Sequence, residues 1–187
     1  MELTPLEIEG AWLATSPVWV DERGSFREWF KSAEVLAATG IDFGVTQANI
    51  SVSARGVVRG IHYSLAALGQ AKFVTCVSGT IRDVIVDIRP GSHTYGKYEV
   101  VDLSGDSGNA VLIGAGLGHG FISLEEGSVV SYLLSSPYSP NDEYEINPLD
   151  ASIGIEWGIP VSELLFSPKD TAAPSLEERA GEGNLPQ

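Results

Sequence analysis

The sequence has few residues that could cross-link it or carry positive charge. Cys76 is the one cysteine among 187 residues, which excludes a disulfide within the chain and a zinc cluster made of cysteines. Lysine and arginine are also scarce. There are 11 of them and 25 acidic residues, so the formal net charge is −14. So acidic a surface repels phosphate backbones, and nucleic-acid binding is not expected.

Long hydrophobic runs are missing as well. No apolar stretch approaches the roughly 18 residues of a membrane helix, and the start MELTPLEIEG has no basic or apolar signal region. The sequence therefore predicts neither membrane insertion nor secretion, and the cytoplasm is the expected location. Charged residues at 19% and hydrophobic residues at 43% argue against disorder, and the length favours one domain over residues 1–187.

Glycine and proline, in contrast, are frequent: 21 glycines and 10 prolines separate short apolar segments. Strands at this close spacing, without helical patterns between them, are typical of a β-sandwich or barrel. Eight segments have strand character: 45–53, 56–63, 72–79, 80–88, 98–103, 109–114, 118–124 and 128–135.

Two short helices are predicted at the ends of this β region. Residues 32–40 have Ser32 as a possible N-cap and Gly40 as a stop signal, and residues 175–181 open with Ser175 and Glu178 in capping-box spacing.

Three histidines are the first candidates for chemistry. His62 ends an apolar strand, where it could be a core residue; His93 lies in a turn and is expected to be solvated; and His119 is flanked by glycines that allow close approach of another group. Imidazole binds transition metals, but no closely spaced histidine pair is present, so no metal site is predicted.

Several other polar residues each allow two interpretations. Lys72 begins an apolar strand, where it could reach back to solvent or serve a site. Asp83 and Asp87 share one strand face, which could be a solvated outer face or a pocket. Tyr132 could be a core aromatic residue, and Asp170 a turn or cap residue.

Two arginines next to glycines, Arg23 and Arg59, differ from these residues in kind. Arg59 lies inside an apolar strand, where an unpaired guanidinium would be costly, so it is expected to need a carboxylate or a phosphate. Arg59 and His62 are three residues apart and would face opposite sides of a regular strand. For both to reach one cavity, the alternation must break, and Gly60 is the predicted site of a bulge.

Six ordered blocks of the sequence resemble the dTDP-4-dehydrorhamnose 3,5-epimerase family, from about residue 4 to residue 170. They are DERGSFREWF (21–30), QANISVSARGVVRGIHY (47–63), QAKFVTCVSGTIRDVIVDIRPGSHTYG (70–96), GLGHGF (116–121), SYLLSSPYSPNDEYEINPLD (131–150) and LLFSPKD (164–170). The loop SLAALGQ (64–70) departs from the Gln and proline pair that the family often has there.

The resemblance implies an all-β fold, a cupin-type jelly-roll β-barrel, in an enzyme that is usually a homodimer and needs neither a metal nor a cofactor. Its substrate would be dTDP-4-dehydro-6-deoxy-D-glucose, epimerised at C3 and C5 to dTDP-4-dehydro-L-rhamnose in deoxysugar biosynthesis. A mono-epimerase acting only at C3 or only at C5 would share the same residues and remains an alternative. A metal-dependent cupin and a non-catalytic binding protein are more distant alternatives.

The family's residue roles can be carried over one position at a time. By this resemblance His62 is the catalytic base, Asp170 its carboxylate partner, Lys72 the group beside the keto oxygen, and Tyr132 the proton donor on the opposite face. Tyr132 could also accept a proton as a phenolate, which would require a lowered pKa. The implied substrate-binding residues are Arg23, Phe26, Glu28, Gln47 and Asn49 for the nucleotide, Arg59 and His119 near the diphosphate and sugar, and Tyr138, Glu143 and Lys169 as further pocket positions.

Overall fold

The computed structural model describes residues 1–186 as a largely β protein. The strands are β1 Glu2–Pro5, β2 Ala11–Thr15, β3 Trp19–Asp21, β4 Gly24–Phe26, β5 Gln47–Ser53, β6 Val58–Ser64, β7 Lys72–Ser78, β8 Thr80–Asp87, β9 Tyr98–Ser104, β10 Asn109–Ile113, β11 Leu117–Ser123, β12 Ser128–Leu134 and β13 Glu143–Glu145. The helices are α1 Ser32–Thr39, α2 Pro168–Thr171 and α3 Leu176–Gly181, with a short 3₁₀-helix at Val161–Glu163.

Two antiparallel sheets form the body of the fold. One has six strands in the order β1-β2-β10-β7-β12-β5, the other has five in the order β13-β6-β11-β8-β9, and β3 and β4 form a separate hairpin. This arrangement confirms the predicted all-β jelly-roll class with short helices near its ends. All eight predicted strands are present, with ends displaced by at most two residues. The short strands β1 to β4 and β13 were not predicted.

Apolar side chains fill three layers, one between the sheets and one on the outside of each. Ile85 and Val111 are among the side chains buried between the sheets. Phe73, with Val35 of α1, belongs to the cluster that covers part of the outer side of the six-stranded sheet. Ile61 and Trp157 belong to the cluster outside the five-stranded sheet, where the C-terminal segment packs.

Strand β6 is irregular at the predicted position. In its pairing with β11, His62 lies opposite His119 and Arg59 lies opposite Phe121, so β6 uses one more residue than β11 over this stretch. Gly60, with φ of +134°, occupies the irregularity. The predicted bulge is confirmed, and the side chains of Arg59 and His62 line the same cavity.

The helix signals were partly correct. Gly40 ends α1 in the left-handed conformation with φ of 75°, but Lys31 rather than Ser32 occupies the N-cap position and makes no side-chain cap. The proposed Ser32 cap is therefore wrong, because Ser32 already has helical geometry. The capping box of Ser175 and Glu178 is confirmed.

No helix in residues 1–186 combines the length and the apolar character needed to span a membrane.

Replacing Gly60 by alanine should destabilise the fold. The added Cβ would lie 2.5 Å from Cα of Gly120 and 2.8 Å from the carbonyl oxygen of His119, and positive φ strains any residue with a side chain. We expect Gly60→Ala to lower the free energy of unfolding by about 2–4 kcal/mol in urea titrations. Gly44→Ala is the matched control, since no atom of the described residues 1–186 lies within 4 Å of the position that its new methyl group would take. Equal stability of the two variants would contradict this prediction.

Candidate active site

A cavity of about 590 Å³ lies between the two sheets. It gathers eleven of the fourteen side chains named from the sequence: Gln47, Asn49, Arg59, His62, Lys72, His119, Tyr132, Tyr138, Glu143, Lys169 and Asp170. The five-stranded sheet supplies one wall, through β6, β11 and β13, and the six-stranded sheet supplies the other, through β5, β7 and β12. Residues separated by more than 100 positions in the chain therefore share one site.

His62 and Asp170 form a pair at one wall of the cavity. Nε2 of His62 lies 2.7 Å from Oδ1 of Asp170, and Asp170 is only 3% exposed. Ser167 fixes the carboxylate from the other side, because its hydroxyl donates to Oδ2 at 2.8 Å and accepts from the Asp170 backbone N–H at 3.1 Å. With Nε2 engaged, Nδ1 is the ring nitrogen left for another partner.

The pKa of Asp170 reflects these contacts. Burial by itself raises the pKa, but the hydrogen bond and charge of His62, the Ser167 hydroxyl and the nearby charge of Lys169 together hold it below its ordinary value. The carboxylate is therefore ionised at neutral pH and acts only as a hydrogen-bond acceptor.

The ammonium group of Lys72 is buried rather than directed to solvent. Lys72 is 8% exposed and Nζ donates to the backbone carbonyl of His62 at 3.3 Å. Burial lowers the pKa of Lys72, and the negative charges of Glu143 and Asp83 oppose that shift only in part. The interpretation of Lys72 as a solvent-reaching lysine at a strand start is therefore wrong.

Tyr132 reaches the cavity from β12, on the wall opposite His62. Burial raises the pKa of its phenol, the charge of Arg59 opposes the shift, and Glu143 adds to it. The phenol is therefore protonated at neutral pH. The lowered pKa that a phenolate acceptor would require is not found.

A second histidine–aspartate pair lies beside the first. Nε2 of His119 is 2.8 Å from Oδ2 of Asp83, and Asp83 is fully buried. Asp87, on the same face of β8, is also fully buried, so the interpretation of these two carboxylates as a solvated outer face is wrong. Asp83 was not among the site residues predicted from the sequence. Its position on the same strand face as Ile81 and Ile85 could have indicated that its carboxylate is buried.

Arg59 is exposed toward the cavity, so the expected cost of burying its guanidinium does not arise. Its Nε donates to the Ser53 hydroxyl at 3.1 Å and a terminal nitrogen to the Val52 carbonyl at 3.3 Å. In the part of the chain that the structure describes, no carboxylate pairs with it. Its positive charge is therefore available to an anionic ligand.

Amide and carboxylate groups complete the pocket. Gln47 donates from Nε2 to Oδ1 of Asn49 at 2.9 Å and accepts from the backbone N–H of Tyr138 at 2.9 Å. Glu143 accepts from Gln70, a residue that sequence reasoning missed, at 3.1 Å. Lys169 forms an ion pair of 2.9 Å with Glu145.

Three predicted binding residues lie outside this cavity. Arg23 and Phe26 belong to the β3–β4 hairpin, which pairs with no other strand within residues 1–186, and Arg23 forms an exposed ion pair of 2.5 Å with Asp21. Glu28 is also at the surface, where it pairs with Lys31 at 2.6 Å. The chain as a single copy does not bring these side chains to the pocket, because Arg23 and Phe26 are exposed on the hairpin and Glu28 is exposed in the segment that follows it.

Metal ligands are not clustered in residues 1–186, where no group of three or more His, Cys, Asp or Glu side chains is placed to hold an ion. His93 is exposed in its turn, as predicted, and does not line the cavity.

Comparisons with known proteins agree with the fold and identify a family of similar proteins. A family profile described as dTDP-4-dehydrorhamnose 3,5-epimerase matches residues 5–178. A dTDP-4-dehydrorhamnose 3,5-epimerase of Mycolicibacterium smegmatis is 46% identical over 186 residues, which is 100% of this chain and 91% of that protein.

Two solved structures have the same fold over almost the whole chain. NovW, a 4-keto-6-deoxy sugar epimerase from the novobiocin cluster of Streptomyces spheroides, has a TM-score of 0.96 and 43% identity, covering 100% of this chain and 93% of that one. ChmJ, a 3′-monoepimerase of Streptomyces bikiniensis in complex with dTDP-quinovose, has a TM-score of 0.94 and 44% identity, covering 98% and 92%.

The buried ammonium of Lys72 should reduce stability. A lysine whose pKa is lowered by folding costs stability at pH values below its folded pKa, and the cost disappears as pH rises toward its ordinary value near 10.5. We expect Lys72→Met to raise the free energy of unfolding at pH 7 by about 1–2 kcal/mol, with a smaller gain at pH 10.

Lys169→Met is the matched control for this measurement. The ion pair with Glu145 raises the pKa of Lys169, so its removal should give no gain. A stabilising effect of the same size in both variants, or a loss of stability in Lys72→Met, would show that Lys72 carries no burial penalty.

Proposed function

The chain belongs to the dTDP-4-dehydrorhamnose 3,5-epimerase family, and we propose that it inverts both C3 and C5 of dTDP-4-dehydro-6-deoxy-D-glucose to give dTDP-4-dehydro-L-rhamnose. One observation supports this most directly: His62, paired with Asp170 of α2, and Tyr132 line one cavity from opposite sheets. Epimerisation needs a base on one face of the sugar and an acid on the other, and the two walls supply these groups.

The proposed reaction follows from the acidity of carbons next to a ketone. His62 takes the proton from C3, and the electron pair of the C–H bond moves into an enolate whose negative charge lies on O4. Tyr132 then gives its proton to C3 on the opposite face and the carbonyl re-forms. The imidazolium of His62 releases its proton to solvent, and solvent returns a proton to the phenolate, so both groups regain their starting states. The same sequence at C5 completes the reaction. A positioned base contributes about 10²–10⁴-fold to such a step.

Asp170 and Lys72 support the proposed proton transfers. The ionised Asp170 carboxylate fixes the ring of His62 through Nε2 and stabilises the imidazolium formed when Nδ1 takes the proton. Lys72 lies in the same cavity and would place its positive charge where the enolate oxygen develops. Loss of one such donor costs roughly 3–4 kcal/mol in other enzymes.

The remaining cavity side chains fit a nucleotide diphosphate. Arg59, which no carboxylate pairs in residues 1–186, can hold a phosphate with its guanidinium fork. Gln47 and Asn49 offer amide groups suited to a base edge. His119, Tyr138, Glu143 and Lys169 would complete the substrate pocket. A protein with a net charge of −14 needs such a local positive site, because distant charges are screened beyond about 8 Å.

A mono-epimerase is the alternative, favoured by the 44% identity to a 3′-monoepimerase. Incubation of the protein with the 4-keto sugar in deuterated water, followed by NMR, separates the two. Deuterium at both C3 and C5 of an inverted product supports the proposal. Deuterium at one carbon supports the alternative, and its absence at both would contradict either epimerase.

We further propose a homodimer in which the β3–β4 hairpin serves the pocket of the second copy. On β5 the polar side chains face the cavity while Ile50 and Val52 are 72% and 63% exposed, and on the hairpin Val20 and Phe26 are 77% and 66% exposed. Apolar surface of this extent favours a protein partner. Arg23, Phe26 and Glu28 would then contact the nucleotide from across the interface. The cytoplasmic location and the single domain over residues 1–187 stay predictions from the sequence.

Tyr132→Phe tests the donor, because it removes only the hydroxyl. With His62 intact, abstraction and return on the same face need no acid across the ring. We expect deuterium exchange to continue at one carbon while inversion falls by about 10²-fold or more. His62→Asn is the control and should lose exchange and inversion together. Normal inversion in Tyr132→Phe would assign the acid to another group.

Mixed dimers test the shared pocket. Arg23→Ala and His62→Asn should each be poorly active as pure proteins. In a mixed dimer with the proposed arrangement, one pocket receives an intact His62 from one copy and an intact Arg23 from the other. Unfolding and refolding the two variants together should therefore restore a substantial part of the activity. No restoration, in a mixture shown by mass spectrometry to contain mixed dimers, would place Arg23 in the pocket of its own chain or outside it.

A further inference from the structure

Asp83 has no part in the proton transfers described above, yet its carboxylate has an unusual environment. Its strand neighbours are Ile81 and Ile85 on the same face, with Phe121 and Val101 opposite it on the two adjacent strands. All four of these side chains are apolar and buried. An ionised carboxylate in such surroundings is costly unless it is paired.

Only one oxygen of the Asp83 carboxylate has a hydrogen-bond partner among the described residues, and that partner, His119, lines the cavity. Oδ2 lies 2.8 Å from Nε2 of His119, while Oδ1 is buried and has no hydrogen-bond partner among the described residues. Asp87, by comparison, is satisfied by Arg89, Ser92 and Thr94 in a turn that does not line the cavity. The fold therefore tolerates an unsatisfied oxygen at Asp83, and His119 is the group that its carboxylate holds.

Resting on the proposed function, we propose that Asp83 is a positioning residue that orients His119 toward the substrate. An ionised carboxylate only accepts hydrogen bonds, so Nε2 of His119 carries the hydrogen and Nδ1 is left for the ligand. His62 and His119 are direct cross-strand partners, and each is held through Nε2 by its own aspartate. The cavity thus contains two imidazole rings with separate carboxylate supports.

The arrangement also keeps negative charge close to Lys72. Asp83 raises the pKa of that lysine against the larger effect of burial, so the carboxylate is electrostatically coupled to a second cavity group. Removal of the Asp83 charge should therefore affect the cavity and leave the surface unchanged. Carboxylates that orient a metal-binding histidine contribute about 10- to 100-fold in metal sites, and we expect an effect of the same order for Asp83 behind His119.

Steady-state kinetics in two backgrounds test the proposal. We expect Asp83→Asn to lower kcat/KM by about 10- to 100-fold in the otherwise unaltered enzyme. In a His119→Gln background the same change should cost clearly less than in the otherwise unaltered enzyme, because the residue that Asp83 positions is already gone and only its smaller electrostatic effect on Lys72 remains. An equal loss in both backgrounds, or unaltered kinetics in Asp83→Asn, would overturn the proposal.

Stability measurements separate positioning from a structural role. Asp83→Leu fills the apolar site with a side chain of similar size, so it should keep or raise the midpoint of thermal unfolding while losing activity. Asp87→Asn is the matched control and should lose stability while keeping its kinetic constants, because Asp87 holds only a turn. If Asp83→Asn does not fold, Asp83→Leu is used in the comparison of backgrounds. Parallel loss of stability and activity in Asp83→Leu would indicate a structural role only.

The imidazole signals give a readout that does not depend on turnover. The chain has three histidines, so labelling with ¹⁵N-histidine gives three sets of ring signals, each assigned by a His→Gln variant. In Asp83→Leu we expect the ring signals of His119 to shift and those of exposed His93 to stay in place. Unchanged His119 signals would contradict the proposal. Absence of turnover in the unaltered enzyme would contradict the proposed function, and the ring signals would still decide whether Asp83 orients His119.

Discussion

The hydrogen bond between His62 and Asp170 joins parts of the chain that are 108 residues apart. For it to form, the bulge at Gly60 must turn His62 toward the cavity, and the Ser167 cap must turn the Asp170 carboxylate away from solvent. The bridge between Val57 and Leu165 brings the two segments together just before these residues. A strand irregularity and a one-turn helix, neither stable alone, are thus fixed by the same tertiary contact.

Charge burial distinguishes this cavity from the apolar layer beneath it. Lys72, Asp83 and Asp170 are each less than 10% exposed, and each has at least one hydrogen bond to a neighbouring group. The low polarizability of the surroundings makes these interactions stronger than they would be in water, and it makes an unpaired group more costly. The site therefore holds charged groups in place at the expense of stability, which a purely structural core would not do.

The sequence was sufficient to predict most of the fold and only part of the site. Short apolar segments between glycine and proline turns identified all eight long strands, whereas β3, β4 and β13 have only three residues each and are too short to give such a signal. The alternation of side chains along β8 placed Asp83 and Asp87 on one face, but it could not show whether that face was buried or exposed to solvent. The His62–Asp170 pair came from a family resemblance, because no spacing rule connects such distant residues. The same resemblance named Arg23, Phe26 and Glu28. These three residues are exposed and lie outside the cavity of a single chain.

Strand β5 has the reverse of the usual polarity, with amides and hydroxyls facing inward and aliphatic side chains facing outward. Because side chains alternate strictly along a strand, inserting or deleting one residue in β5 would exchange the two faces. Ile50 and Val52 would then enter the pocket, and Asn49 would lie on the outer surface. Single substitutions can alter one face at a time, but a change in the length of this strand affects ligand contacts and surface complementarity together. The register of β5 against β12 therefore determines the composition of both faces at once.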